Sequence, residues 1–335
     1  MSELIGFTEN EISKNSQGGT EITKRSIAKF IPEELSNEFQ IIASRVRELN
    51  NEKIRVYWQH DLAEDPEVNH LINENSKNRF HKFVFSSNWQ LQEFVTKLKF
   101  NRDEKVSVIE SPIEPIQEHI KTFETINLIY FSTPQRGLNI LIPVFEELCK
   151  KYDNIHLHVF SSFKIYGWKD HDKQFEPLYN RIRSHPKMTY HGFSDRSTLE
   201  NFLKKCHILA YPSIWTETSC RVLMESMSAG LFCVHPNLGA LADTSGGITF
   251  MYQYQDNIQT HSQLFYSCLD VAISNIQKDE VQNFLKFQKM YADIRFNINK
   301  ISTQWKDLLQ ELLLKYPTLE SRKMQLSQNR FVYKT

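Results

Sequence analysis

The segment from Tyr211 to Gly230 holds the densest group of residues able to do chemistry together. It runs Pro212-Ser213, Glu217, Thr218-Ser219-Cys220 and then Glu225, and ends in Ser226-Met227-Ser228-Ala229-Gly230. The order reads strand, loop, helix, glycine stop, with the next strand over 231–235. Thr218 and Ser219 fall at the expected N-cap. Free backbone N–H groups and the positive end of the helix dipole would then make a site for a diphosphate. Glu217 lies before the helix and Glu225 two turns further on, so hydroxyls on either side of such a diphosphate would find an acceptor.

The elements that must position this segment alternate. Short apolar runs at 4–7, 39–43, 54–58, 82–85 and 105–109 predict strands, with helices over 21–30 and 89–97. The alternation restarts with strands predicted at 126–131, 155–160, 188–191, 207–211, 231–235 and 248–251. Leu138, Leu141, Ile142, Phe145, Leu148 and Cys149 form one apolar stripe, which predicts a buried helix over 138–149. Pro112 and Pro115 favour extended chain, so the hinge between the two series is placed at 110–115. After Met251 the pattern is helical, over 257–275, 278–291 and 298–315. The fold class expected is α/β, with two doubly wound parallel sheets facing a cleft at their carboxyl ends, where open sheets of this kind bind ligands. The expected divisions are 1–117, 118–300, and a tail over 301–335 that can pack back on the first domain.

Composition narrows the function. The chain has 335 residues, and its 40 Lys and Arg balance 40 Asp and Glu, so no basic field exists to hold a nucleic acid. The 12 His and five Cys show no metal-ligand spacing, and the cysteines sit mostly in apolar runs, as in a reducing compartment. No strand is followed by G-x-G-x-x-G and no P-loop is present, which removes dehydrogenase and kinase readings. The first residues lack the basic start and apolar stretch of a signal peptide, and no run of 18 apolar residues occurs. A cytoplasmic protein is expected. The tail from Lys315 carries Lys315, Arg322, Lys323, Arg330 and Lys334 against Glu320, so any membrane contact would be peripheral.

The segment from Pro212 to Gly230 resembles the retaining GT-B glycosyltransferases of family 4, whose hallmark runs P-S-x-x-E-x7-E-A-x-A-x-G and is followed by an apolar strand and a G-G-x-x-E loop. Here one extra residue separates Ser213 from Glu217. Ser226 and Ser228 stand at positions usually Ala, Ala240 replaces the second Gly of the loop, and Asp243 falls where Glu is common. The resemblance implies that Glu225 holds the ribose of a nucleotide-sugar donor and that Glu217 lies by the transferred sugar and its diphosphate. Elsewhere, Ser16-Gln17-Gly18-Gly19-Thr20-Glu21 is similar to the family's glycine loop, and Tyr57-Trp58-Gln59-His60-Asp61 to the element whose His reaches the donor sugar. The family generally has an Arg at the end of the first strand of the second domain and a Lys five residues on. This chain has Phe131 and Arg136 there, which makes Arg136 the main phosphate cation. Lys164 is the candidate second cation, with a solvated loop lysine as the alternative.

The resemblance thus implies the GT-B fold and transfer of a sugar from a nucleoside-diphosphate sugar to a hydroxyl of a glycan, lipid-linked sugar or protein. Retention at the anomeric carbon is implied, and no cofactor or metal is needed. The catalytic candidates are His60, Arg136 and Glu217. The donor-binding candidates are Gly18, Gly19, Arg136, Lys164, Thr218, Ser219, Cys220 and Glu225. Two other readings stay open: a transferase-like subunit that binds nucleotide sugar without transfer, favoured by Phe131, and an inverting transferase or epimerase using His60 or Asp61.

Overall fold

A computed structural model of the chain describes residues 18–43, 45, 46 and 48–323. The strand expected at 4–7 and the tail beyond Lys323 lie outside the described residues. Contacts divide the chain into two units, one formed by residues 1–112 and 298–335, the other by 113–297.

The first unit is built on a parallel sheet of four described strands in the order β1 (Phe39–Ala43), β2 (Ile54–Gln59), β3 (Lys82–Phe85) and β4 (Val106–Val108). The first three strands are buried along their whole length, as parallel strands covered on both faces must be. One face is covered from the far end of the chain. The helix Ile298–Lys315 buries Ile301, Trp305, Leu308, Leu309 and Leu312 in the same core as Ile41, Val56 and Trp58. The Trp58 and Trp305 rings meet edge to face at 4.7 Å. Arg322 pins the end of this segment, pairing with Glu38 at 2.7 Å and donating to the Glu52 carbonyl.

The second unit carries six parallel strands: β5 (Ile126–Phe131), β6 (Ile155–Phe160), β7 (Met188–Tyr190), β8 (Ile208–Ala210), β9 (Phe232–Pro236) and β10 (Phe250–Tyr252), in the order β10-β9-β8-β5-β6-β7. The chain winds outward from β5 in one direction, then returns to β8 on its other side. The point where the order reverses, between β5 and β8, opens a crevice at the carboxyl ends of those two strands. The apolar stripe expected over 138–149 forms the helix Leu138–Leu148, buried through Leu138, Leu141, Ile142, Phe145 and Leu148. Strand and helix positions follow the alternation of the sequence. Where an expected element is described, the differences are at its ends: β8, expected over 207–211, spans Ile208–Ala210 because His207 and Tyr211 use their backbone at the margins of the ladder. The helices Glu176–Ser184 and Arg196–Lys205 were not among those expected. Among the described residues no helix is long and apolar enough to cross a membrane.

Two buried histidines tie strand edges together as neutral rings. His81 Nδ1 accepts the N–H of Arg55 and His207 Nδ1 that of Asn127, each at 2.9 Å. Burial, reinforced by Arg55 beside one ring and Lys121 beside the other, pushes their pKa values down to about 3 and about 4. In the unfolded chain the same rings titrate near 6.5, so it takes up protons first as pH falls. Their contribution is complete above that value and is lost as pH drops toward 4, by about 1.4 kcal/mol per pH unit for each ring. The urea midpoint is therefore expected to fall steadily from pH 7 to pH 4.5, and His207→Gln to flatten that slope; an unchanged slope in the variant would contradict the assignment.

Candidate functional site

Two loops meet at the reversal point of the second sheet. After β5 the chain makes a single turn, Pro134–Arg136, and enters the helix Leu138–Leu148 through Gly137, whose φ of 109° is open to glycine but strained for any L side chain. A Cβ there would lie 2.1 Å from the carbonyl oxygen of Pro212, in the loop after β8. The same contact recurs on the far side of that loop, where a Cβ on Gly239 would lie 2.7 Å from the carbonyl oxygen of Glu217. Two glycines therefore let three loops close to backbone contact.

That closure brings Arg136 onto Glu217. Arg136 Nη1 pairs with Glu217 Oε1, and the Tyr211 hydroxyl donates to the same oxygen at 2.7 Å. Side chains of both ionised partners are largely buried, at 19% exposed for Arg136 and 7% for Glu217. Burial alone would lower the Arg136 guanidinium; the charge of Glu217, helped by Tyr211, holds it well above its ordinary value instead. Arg136 Nε is buried with no hydrogen-bond partner among the described residues. The exposed ring of Trp215 lies 5.7 Å from the guanidinium.

The helix that follows is Arg221–Ser228, and its N-cap is Cys220, with no side-chain cap bond. The expectation that Thr218 and Ser219 cap it is corrected: they precede the cap. Cys220, buried with Leu223 and Met224 in the core, fixes where the first turn begins, and packing overrides the capping preference of the hydroxyl residues. Glu225 lies two turns from Glu217 and does not share its partners. It takes Arg221 Nη2 on Oε1 at 2.8 Å and Arg196 Nη1 on Oε2 at 2.6 Å. Burial would raise this carboxyl, but the two arginines outweigh it and hold it below the ordinary carboxylate value.

Beside the pair, a pocket opens across the carboxyl ends of β5, β6 and β7. Phe131, Phe160, Ile165 and Phe193 give it apolar walls, and Thr133, Ser161 and Ser194 add hydroxyls. Thr133 Oγ1 is buried there without a hydrogen-bond partner among the described residues. Phe131, which stands where an Arg was expected, is thus a wall of this pocket. Lys164 is exposed at its rim, with its ammonium 5.5 Å from the Phe193 ring.

Three sequence candidates belong to the first unit. Gly18 is the N-cap of the helix Gly19–Ala28 and Gly19 its first residue. His60 follows β2 with its ring 4.5 Å from that of Trp58, and burial, with Lys24 nearby, depresses its pKa to about 3. The structure thus groups Arg136 with Glu217, stands Glu225 on the adjoining helix, and sets Lys164 by the pocket. It adds Tyr211, Arg196, Arg221 and the three phenylalanines. Arg221 is four residues before Glu225 on one helix face and was open to detection by that spacing. Asp243 is bound by Arg295 at 3.0 Å. Among the described residues no group of three or more His, Cys, Asp or Glu is arranged to hold a metal ion.

Gly137→Ala is expected to cost at least about 1–3 kcal/mol of stability from backbone strain alone, before the clash with Pro212 is counted. It should also shift Arg136 away from Glu217. Thermal unfolding of the variant tests this; a melting temperature within a degree of wild type would show that the loops do not need the close approach.

Residues 118–245, which run from just before β5 through the short helix Leu241–Ser245 that follows β9, match the family described as glycosyl transferases group 1. No curated protein matches the sequence. Among solved structures, a glycosyltransferase from Rickettsia africae is 16% identical, with a TM-score of 0.65 over 90% of this chain and 84% of that one. Anabaena HepE, solved with UDP and glucose, is 17% identical, with a TM-score of 0.57 over 88% of this chain and 76% of that one. Sucrose-phosphate synthase from Thermosynechococcus elongatus is 12% identical, with a TM-score of 0.63 over 78% of this chain and 68% of that one. Such distant likenesses bear on fold, and they agree with the two parallel sheets described above: the chain has the GT-B fold, and its residues 118–245 match the glycosyl transferases group 1 family.

Proposed function

We propose that the chain is a glycosyltransferase that moves a sugar from a nucleoside-diphosphate sugar to a hydroxyl acceptor, with retention of anomeric configuration and without a metal ion. The observation that carries the reading is the buried Arg136–Glu217 pair at the reversal point of the second sheet, next to an aromatic-walled pocket. The matched family and the UDP and glucose held by HepE support the donor class.

In this reading the nucleobase enters the pocket between Phe131, Phe160 and Phe193, and Glu225 accepts from the ribose. The diphosphate lies between Arg136 and the N-terminal amides of the helix that begins after Cys220, near Thr218 and Ser219. Departure of the nucleoside diphosphate develops negative charge on the leaving oxygen. A guanidinium held in place by Glu217 and a fixed helix end stabilise that charge without reorganising, which is where such sites gain most of their rate. Arg136 and the helix dipole take the part a metal would otherwise play. Glu217 orients Arg136 and stands near the transferred sugar. No carboxylate is assigned as covalent nucleophile, so the acceptor attacks from the face the leaving group vacates, and the leaving phosphate oxygen helps to take its proton. His60, held neutral, keeps the donor-sugar role that the resemblance implies. Lys164 at the pocket rim and Gly18-Gly19 keep the donor-side roles that the resemblance implies. The acceptor is a glycan or lipid-linked sugar, and the protein is cytoplasmic with at most peripheral membrane contact.

Phe131 in the pocket wall favours one other reading, a chain that binds nucleotide sugar without transferring it. Turnover separates the two. Arg136→Ala is expected to lower release of nucleoside diphosphate from the donor by about 10²–10³, and Arg136→Lys to recover part of it, because a point charge cannot bridge two oxygens. Glu225→Ala is expected to weaken nucleoside-diphosphate binding by calorimetry, with a smaller effect on turnover at saturating donor. Donor binding without turnover in wild type, together with a silent Glu217→Ala, would favour the binding-only chain. Unchanged affinity in Glu225→Ala would remove the ribose assignment.

A further inference from the structure

Glu225 is held by two arginines whose tenure is unequal. Arg221 begins the helix that carries Glu225 and reaches it across one turn, with its side chain 13% exposed. Arg196 comes from another element, the first residue of the helix Arg196–Lys205, and its side chain is 40% exposed. Asp195 caps that helix, and the positive end of the dipole disfavours a cation in its first turn. Arg196 is therefore the partner more easily detached.

Arg196 is also tied to the pocket. Gly192, Phe193 and Ser194 form one wall, and Arg196 follows Ser194 by two residues. A base seated in the pocket rests on the loop that carries Arg196, and a ribose reaching Glu225 meets Arg196 already on Oε2. Detachment leaves neither charge stranded. Glu225 keeps Arg221 on Oε1, and Arg196 has Glu200 and Glu114 within electrostatic reach.

We propose that Arg196 is a built-in competitor for the donor's ribose: it occupies Oε2 of Glu225, must be displaced when the ribose bonds there, and so sets how much the ribose adds to nucleotide affinity. The proposal rests on the reading of Glu225 as the ribose ligand. Its consequence for the reaction is a nucleoside diphosphate that leaves readily, since Arg196 returns to Glu225 as the product departs, and product release is a common limit on turnover.

Calorimetry of wild type, Arg196→Ala, Arg196→Gln and Arg196→Lys tests it, using UDP, GDP, ADP and CDP and the 2′,3′-dideoxy form of whichever binds. The Arg196 end of this ion pair is 40% exposed and Glu225 keeps Arg221, so removing Arg196 is expected to tighten ribonucleotide binding only roughly 2- to 5-fold in the Ala and Gln variants. Affinity for the dideoxy form should not change, because that ligand never displaces Arg196. Arg196→Lys keeps a competing cation and should stay near wild type. A change that falls equally on both sugars, in either direction, or no change at all, overturns the proposal and makes Arg196 a phosphate cation or a structural pair. Wild type that binds none of the four nucleotides overturns the donor-site reading itself, and this inference with it.

Discussion

Arg136 on Glu217 is the constraint around which the second unit is arranged. Taking two charges out of water is costly, and a buried pair persists only where geometry and extra hydrogen bonds compensate. Here the Tyr211 hydroxyl gives Glu217 Oε1 a second donor, and Tyr211 itself packs within 5.9 Å of Tyr130 beneath the crevice. The pair forms because the strand order reverses between β5 and β8, which puts the loops after these strands side by side, and because Gly137 and Gly239 carry no side chain to hold the loops apart. Topology supplies the crevice, two glycines supply the distance, and the ion pair fixes what the crevice presents.

Glu225 shows the same economy in a different form. It is satisfied entirely by arginines, one from its own helix and one from the neighbouring element. The two carboxylates of the Glu-x7-Glu spacing thus serve separate cations, and the difference in exposure between Arg196 and Arg221 turns one carboxylate oxygen into a contested position.

Ile126–Phe131 and Ile155–Phe160 were legible to the residue because parallel strands covered on both faces are short and mainly apolar, here interrupted only by Asn127, His156 and His158. The long amphipathic helices were legible from a different signal, the helical spacing of one apolar face, as in Ile301, Trp305, Leu308 and Leu312. The helix start after Cys220 was not, because hydroxyl residues advertise a cap locally while the burial of Cys220 is decided by tertiary packing. Phe131 read as the loss of a cation. Its gain as a wall of a pocket shared with Phe160 and Phe193 needs the strands to be aligned, which no single-strand pattern contains. Arg196 was invisible for a similar reason: 29 residues separate it from Glu225, and only the placement of β7 and its following helix joins them. The packing of Trp305 on Trp58 joins residues still further apart, linking the last long helix to the first sheet.

The central claim, that Arg136 and Glu217 act as one unit, is tested most directly by a double-mutant cycle on nucleoside-diphosphate release from the donor, with Arg136→Ala, Glu217→Ala and the double variant. If Glu217 serves to hold Arg136, the second substitution should cost little once the first is made, giving a coupling energy of at least about 1 kcal/mol. Losses that simply multiply would contradict the claim and make the two residues independent neighbours in the same crevice.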